Sequence, residues 1–174
     1  MSDSRVVPVM REESQKWIST LNAEEIRAIR KYTKNSGDPA DDKFYARLNA
    51  MLRGEIPEDE TLLYYSDLIS SALRKNQLQH DIVCYRTLPW DIYHDFSVGD
   101  VFTERQFISS SVTLSGTLEN PFLSTICCPA GASGAYIELL SKFPKQREFL
   151  FDKDTWFRVL NKTDNSIEVE VLTK

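Results

Sequence analysis

The stretch SKFPKQREFLF, residues 141 to 151, sets Gln146 and Glu148 two positions apart at the mouth of an apolar run. In an extended segment residues i and i+2 share a face, so the two side chains would present a carboxamide and a carboxylate side by side. The amide can donate and accept hydrogen bonds and the ionised acid only accepts, which makes a small, directional polar site. Two further features lie upstream. CYRTLP puts Arg86 behind Tyr85 within an apolar run, and QFISSSVT puts Ser109, Ser110 and Ser111 where strand alternation expects apolar residues. Singly, each has an ordinary explanation: an edge arginine snorkelling to water, a bulge or turn, a solvated loop. Their joint occurrence, in this order, is what calls for chemistry.

These residues sit in the second half of a chain whose texture changes midway. Arg11 to Thr20 reads as a short amphipathic helix, and Asn22 is a good N-cap for AEEIRAIRKYT, with Glu24 and Glu25 in its first turn and Arg30 and Lys31 near its end. That helix is expected to stop at Asn35-Ser-Gly-Asp-Pro39. DDKFYARLNAMLRG carries Phe44, Leu48, Met51 and Leu52 at helical spacing and ends at Gly54, and Asp59 to Lys75 repeats the pattern with Leu62, Leu63, Ile69 and Leu73. After Gln79 come short β-like runs: DIVCYRTL, DVFTERQFISSSVT, FLSTICCP, AYIELL, REFLF, WFRVLN and SIEVEVLTK. Helices first and strands afterwards, without alternation, indicate an α+β fold with antiparallel sheets. PAGASGAY lacks any dinucleotide or phosphate-loop spacing and reads as a hairpin turn.

The 174 residues, 41% of them hydrophobic, suit one domain, helical over 1–80 and β-rich over 81–174. A net charge of −5 argues against broad electrostatic binding to duplex nucleic acid or an anionic membrane. Lys142, Lys145 and Arg147 nevertheless make one loop locally cationic, which suits an anionic target or plain solubility. The first twenty residues hold no apolar run of signal-peptide length, and the reading is a cytoplasmic protein. Cys84 stands alone and Cys127 and Cys128 are adjacent, which is neither a disulfide framework nor a metal-ligand spacing. His80 and His94 read as surface or structural residues, and Trp17, Trp90 and Trp156 as core.

Taken together, Tyr85-Arg86, Phe107-Ile-Ser109-Ser110-Ser111 and Gln146-Arg147-Glu148 resemble the mono-ADP-ribosyltransferases of the Arg-Ser-Glu class, the exoenzyme-toxin family. That family has an aromatic-Arg strand, a Ser-Thr-Ser strand and a Gln-x-Glu or Glu-x-Glu loop. The helices LNAEEIRAIRKYT and FYARLNAMLRG are similar to its N-terminal helices, so the resemblance spans nearly the whole chain. It implies N-terminal helices followed by two packed, mainly antiparallel β-sheets enclosing an NAD cleft. It further implies that Glu148 grips the ribose hydroxyl and faces the oxocarbenium-like centre left when the nicotinamide bond breaks. Arg86 would hold the pyrophosphate, for which a planar, permanently charged donor is suited. Ser109 would orient Glu148, and Tyr85 and Ser111 would support NAD binding.

In this family the residue two before the glutamate faces the acceptor, where a carboxylate suits guanidinium. Gln146 therefore implies a non-arginine acceptor, an Asn or Gln side chain or a nucleobase edge. Phe143 matches the aromatic of the Rho-modifying exoenzymes, which read Phe-x-x-Gln-x-Glu, and would pack on or stack against the target. The resemblance thus implies NAD as co-substrate without a metal, a macromolecular acceptor, protein or nucleic acid, and a monomer. The protein would be a toxin or effector, paired with an antitoxin or immunity protein, serving in phage defence, or delivered by machinery other than Sec. Two other readings stand beside it: a glycohydrolase that depletes NAD, water replacing the acceptor, and an inactive binding module of the same fold.

Overall fold

The computed structural model describes residues 2–34 and 43–173. Within them α1 (Asp3–Ile18), α2 (Ala23–Thr33), α3 (Phe44–Leu52) and α4 (Glu60–Arg74) precede β1 (Ile82–Leu88), β2 (Val101–Glu104), β3 (Ile108–Ser111), β4 (Phe122–Cys128), β5 (Gly134–Tyr136), β6 (Glu148–Phe151), β7 (Thr155–Lys162) and β8 (Ser166–Leu172). The local signals explain most boundaries. Asn22 closes a capping box on α2: its side chain accepts from the Glu25 amide at 2.8 Å and Glu25 accepts from the Asn22 amide at 2.9 Å. Asp59 caps α4 through the Leu62 amide, and Gly54, at φ +79°, ends the turn after α3. The expected stop at Asn35–Pro39 lies outside the described residues.

The run AYIELL leaves the strand after Tyr136 and turns at 138–140, and two further boundaries differ from expectation for a tertiary reason. α1 begins at Asp3 rather than Arg11 and runs through Pro8. An interior proline costs about 3 kcal/mol, but the added turns bury Val6 and Met10 completely in the strand core, and full burial contributes roughly 1.5–3 kcal/mol for each such side chain. The run DVFTERQFISSSVT divides into β2 and β3, because Gln106 and Phe107 leave the ladder to pack against α3.

The strands form one hydrogen-bonded ladder in the order β2-β7-β8-β4-β1-β3-β6-β5, antiparallel throughout except between β4 and β8. The β1–β3 junction is a single residue pair, Tyr85 opposite Ser111. There the ladder folds back on itself. Phe157 of β7 and Phe151 of β6 stand five strand spacings apart along the ladder, roughly 24 Å if it were flat, yet their ring centroids are 6.0 Å apart. The two packed sheets expected are thus two halves of one continuous, mixed ladder enclosing a shared core that includes Phe102, Ile126, Phe149, Phe151 and Val169.

A second core lies on the other side of β5 and β6, where Ala135, Ile137 and Leu150 meet Ile29, Leu48, Ile69 and Leu73 of the helices. Strand alternation divides β6 between the two: Phe149 and Phe151 face the strand core and Leu150 faces the helices. The outer edge of β5 is covered by side chains, Asn76 donating to the Gly134 carbonyl at 2.7 Å and Ser14 to the Tyr136 carbonyl at 2.6 Å.

Three smaller expectations are corrected. PAGASGAY is no hairpin, because β4 and β5 are not neighbours and the segment crosses between the two halves. Trp17 is buried, but Trp90 and Trp156 are 67% and 44% exposed. Trp90 follows β1 in a loop and Trp156 stands on the outward face of β7. Cys84 and Cys128 are buried thiols while Cys127 is half-buried, and His80 and His94 are exposed. Among the described residues no helix is long and apolar enough to cross a membrane.

Candidate active site

The ladder order puts β1, β3 and β6 side by side, so three motifs far apart in the chain meet at its fold. Ser111 stands opposite Tyr85 on one side and Glu148 on the other. A cavity of about 180 Å³ opens there, walled by Tyr85, Arg86, Ser109, Ser111, Gln146 and Glu148. A second, of about 270 Å³, is walled by Tyr32, Tyr45, Asn49, Arg53 and Gln106 and shares Arg86 and Ser109 with the first. The two form one groove with Arg86 and Ser109 at its waist.

Glu148 is 7% exposed. Burial raises its pKa to about 7, opposed by a hydrogen bond from Ser109. Ser109 is the exposed member of the serine run. The other two hydroxyls are engaged internally, Ser110 donating to the Phe149 carbonyl at 2.8 Å and Ser111 accepting from the Thr113 amide at 3.2 Å. Ser111 therefore lines the cavity while bracing the turn after β3. Arg86 is half-buried. It hydrogen-bonds the phenol of Tyr93, whose pKa burial pushes up and which itself donates to Glu104 at 3.2 Å. Arg86 thus lines the groove and also meets Tyr93 and Glu104.

Sequence reasoning missed a buried tyrosine at the same place. Tyr32, on the last turn of α2, accepts from Asn49 Nδ2 at 2.9 Å and hydrogen-bonds Ser109. Burial raises its pKa to about 12, the Asn49 bond opposing. Asn49 in turn accepts from the Phe107 amide at 3.3 Å, fastening α3 to the start of β3. Arg53 pairs with Glu55 at 2.8 Å and donates to Gln106. A polar Asn49 on an otherwise apolar helix face, flanked by Leu48 and Met51, was the available signal.

The opening pair needs correction. Gln146 ends a short helical turn, Pro144–Gln146, and Arg147 is left-handed at φ 49°, ψ 48°, so no extended segment joins Gln146 to Glu148. The two still line one cavity, brought there by the turn rather than by strand alternation. Arg147 is also less available than a loop-tip cation, since its guanidinium pairs with buried Glu138. Lys142 and Lys145 remain exposed, and Phe143 stands 39% exposed. Gly116 packs against this turn, and a Cβ there would lie 2.6 Å from the Gln146 carbonyl oxygen, so only glycine permits the approach. Among the described residues no group of three or more His, Cys, Asp or Glu side chains is placed to hold a metal ion.

Comparison with known proteins agrees with this fold. A family model described as ADP-ribosyltransferase exoenzyme matches residues 10–173. The chain is 29% identical, over 94% of its length, to the NAD(+)–arginine ADP-ribosyltransferase EFV of Enterococcus faecalis, and spans 34% of that protein. It spans about a third of the length of the curated relatives it matches. In fold it is similar to Plx2a, an ADP-ribosyltransferase toxin from Paenibacillus larvae, with a TM-score of 0.79 at 24% identity, covering 95% of this chain and 94% of that one. It is likewise similar to C3stau2 from S. aureus, a structure with NAD, with a TM-score of 0.79 at 19% identity, covering 100% and 98%.

Proposed function

The chain belongs to the ADP-ribosyltransferase exoenzyme family, and from that premise we propose that it cleaves the nicotinamide–ribose bond of NAD and passes ADP-ribose to a macromolecule. The observation that carries this reading is Glu148, a buried carboxylate hydrogen-bonded by Ser109 in a groove that also holds Arg86. Such a group stabilises positive charge strongly, because little water competes with it. In this reading Glu148, ionised, accepts from a ribose hydroxyl and faces the oxocarbenium-like carbon, while Ser109 and Tyr32 fix its position. Arg86 binds the pyrophosphate, held by Tyr93. Tyr85 and Ser111 shape the wall, and Arg53 offers a second cation along the same groove.

The acceptor in this reading is not arginine. Gln146 lines the cavity beside Glu148, and a carboxamide complements amide-like groups, where a guanidinium would call for a carboxylate. Phe143 supplies an exposed aromatic on the same loop. A second reading, an arginine acceptor, is favoured by the name of the E. faecalis relative. The protein acts in a cytoplasm as a monomeric toxin or effector, and a neutralising antitoxin or immunity protein would act by covering the groove. The test is to incubate the protein with labelled NAD and whole-cell lysate, then treat separately with protease and nuclease. Label on a macromolecule supports the reading and the treatment that removes it identifies the acceptor class. Release of nicotinamide with no label transferred would instead establish NAD hydrolysis.

A further inference from the structure

We infer that Glu138 is a positioning residue for the acceptor side of the site, holding Arg147 in the turn that presents Gln146 to the cavity and ties that turn to α1. The role given to the turn rests on the reading under Proposed function.

Glu138 lies two residues beyond β5 and is 4% exposed, yet it is a carboxylate. Donors converge on it from three elements. Arg11 of α1 forks onto it, Nε to Oε2 at 3.0 Å and Nη2 to Oε1 at 2.8 Å. The Tyr136 hydroxyl of β5 donates to Oε2 at 2.7 Å, and Arg147 Nη1 donates to Oε1. Burial alone would raise its pKa, but the Arg11 and Tyr136 hydrogen bonds and the Arg147 charge outweigh that and hold it below the usual carboxylate range. A buried, ionised, fully bonded carboxylate is a rigid anchor.

The anchored residue needs one. Arg147 is left-handed, a conformation uncommon for any residue with a Cβ and kept only where the surroundings over-determine it. Its backbone is tied at both ends, its amide to the Pro144 carbonyl at 3.2 Å and its carbonyl to the Val112 amide at 3.0 Å. The side-chain bond to Glu138 is the third tie. Released from it, residue 147 can relax toward extended backbone, which turns Gln146 out of the cavity. Glu148 would move less, because it already sits in the β6 ladder opposite Ser111 and its carbonyl accepts from the Ile137 amide at 3.0 Å. The design therefore separates the two halves of the reaction: the ladder holds the NAD side, and Glu138 holds the acceptor side.

The test uses the full chain carrying Arg147→Ala, Arg147→Lys, Glu138→Gln and the double variant Arg147→Ala/Glu138→Gln. Four quantities are measured: NAD affinity, nicotinamide release into water, label transferred from radiolabelled NAD to whole-cell lysate, and amide hydrogen exchange over residues 141–147. Arg147→Ala and Glu138→Gln should each cut transfer at least tenfold and speed loop exchange at least tenfold, with NAD affinity and nicotinamide release changed less than threefold. Arg147→Lys should recover at least half of the transfer, and the double variant should be no worse than the poorer single one. Unchanged loop exchange, equal loss of all activities, or additive effects would each overturn the inference. If Glu138→Gln fails to fold, Arg147→Ala decides alone, since it leaves Arg11 and Tyr136 on the anchor. A wild-type protein that cleaves no NAD would overturn the functional reading instead, and loop exchange would still decide this inference.

Discussion

The two walls of the groove are built by different means. On one, Arg86, Ser109 and Glu148 stand on β1, β3 and β6, adjacent strands whose positions follow from backbone hydrogen bonds. On the other, Gln146 stands on a loop held by a left-handed residue, a glycine contact and a buried carboxylate, with Phe143 exposed on the same loop. A ladder shares its stability over many bonds, so substituting one side chain leaves its neighbours in place. A loop held by a few side-chain contacts loses its shape when one of them goes. In the proposed function the NAD side thus rests on the ladder, and the acceptor side rests on a loop that can change without unfolding the protein.

Glu148→Gln should break the ladder wall with the largest effect. Transfer and nicotinamide release should both fall by about two to three orders of magnitude while NAD affinity stays within a few-fold, because the lost interaction is made mainly in the transition state. Stability should move the other way. A carboxyl with a folded pKa of about 7 against 4.5 in the unfolded chain contributes stability that is present below pH 4.5 and lost as pH rises through 7. Removing its charge should therefore stabilise the protein at pH 8 by up to about 3 kcal/mol, and by much less at pH 4, as denaturant titrations at the two pH values would report. The same gain over wild type at both pH values would mean that folding does not raise the Glu148 pKa.

Arg86→Ala should act on the same wall by another route, weakening NAD binding about ten- to a hundredfold, as measured by titration. Unchanged affinity with reduced turnover would exchange the roles given to Arg86 and Glu148. The pH profile tests the wall without mutation. The rate at limiting NAD (kcat/KM) should rise with pH through about 7 to a plateau as Glu148 of the free protein ionises, and a flat profile between pH 5.5 and 8.5 would assign the catalytic charge elsewhere.

Gln146→Ala sharpens the comparison on the loop wall: label transfer to lysate should be lost while slow nicotinamide release persists. Equal loss of both would make Gln146 part of the NAD site and remove the ground for excluding arginine. Phe143→Ala should show the same pattern most weakly, a few-fold drop in transfer, consistent with about 1 kcal/mol of lost packing or stacking.

The linear order of residues determined a good deal. The capping signals at Asn22 and Asp59, the helical spacing of Phe44, Leu48 and Met51, and the alternation in β7 and β8 are local, each written within a few residues, and the helices and strands follow them. The Arg, Ser and Glu motifs were legible because each is a short string, and their types suffice to suggest charge stabilisation. Tertiary structure alone decided the rest. That β1, β3 and β6 are neighbours, that the ladder folds at Tyr85 and Ser111, and that Tyr32 and Asn49 reach Ser109 depend on pairings between distant segments, which no local period encodes. The same holds for Arg11 and Glu138, whose side chains meet across 127 positions. Gln146 shows the division most clearly. Its chemistry was plain from its type, but the extended backbone assumed for it was wrong, because Glu138, Gly116 and Val112 impose a left-handed turn at Arg147 that local propensity would not choose.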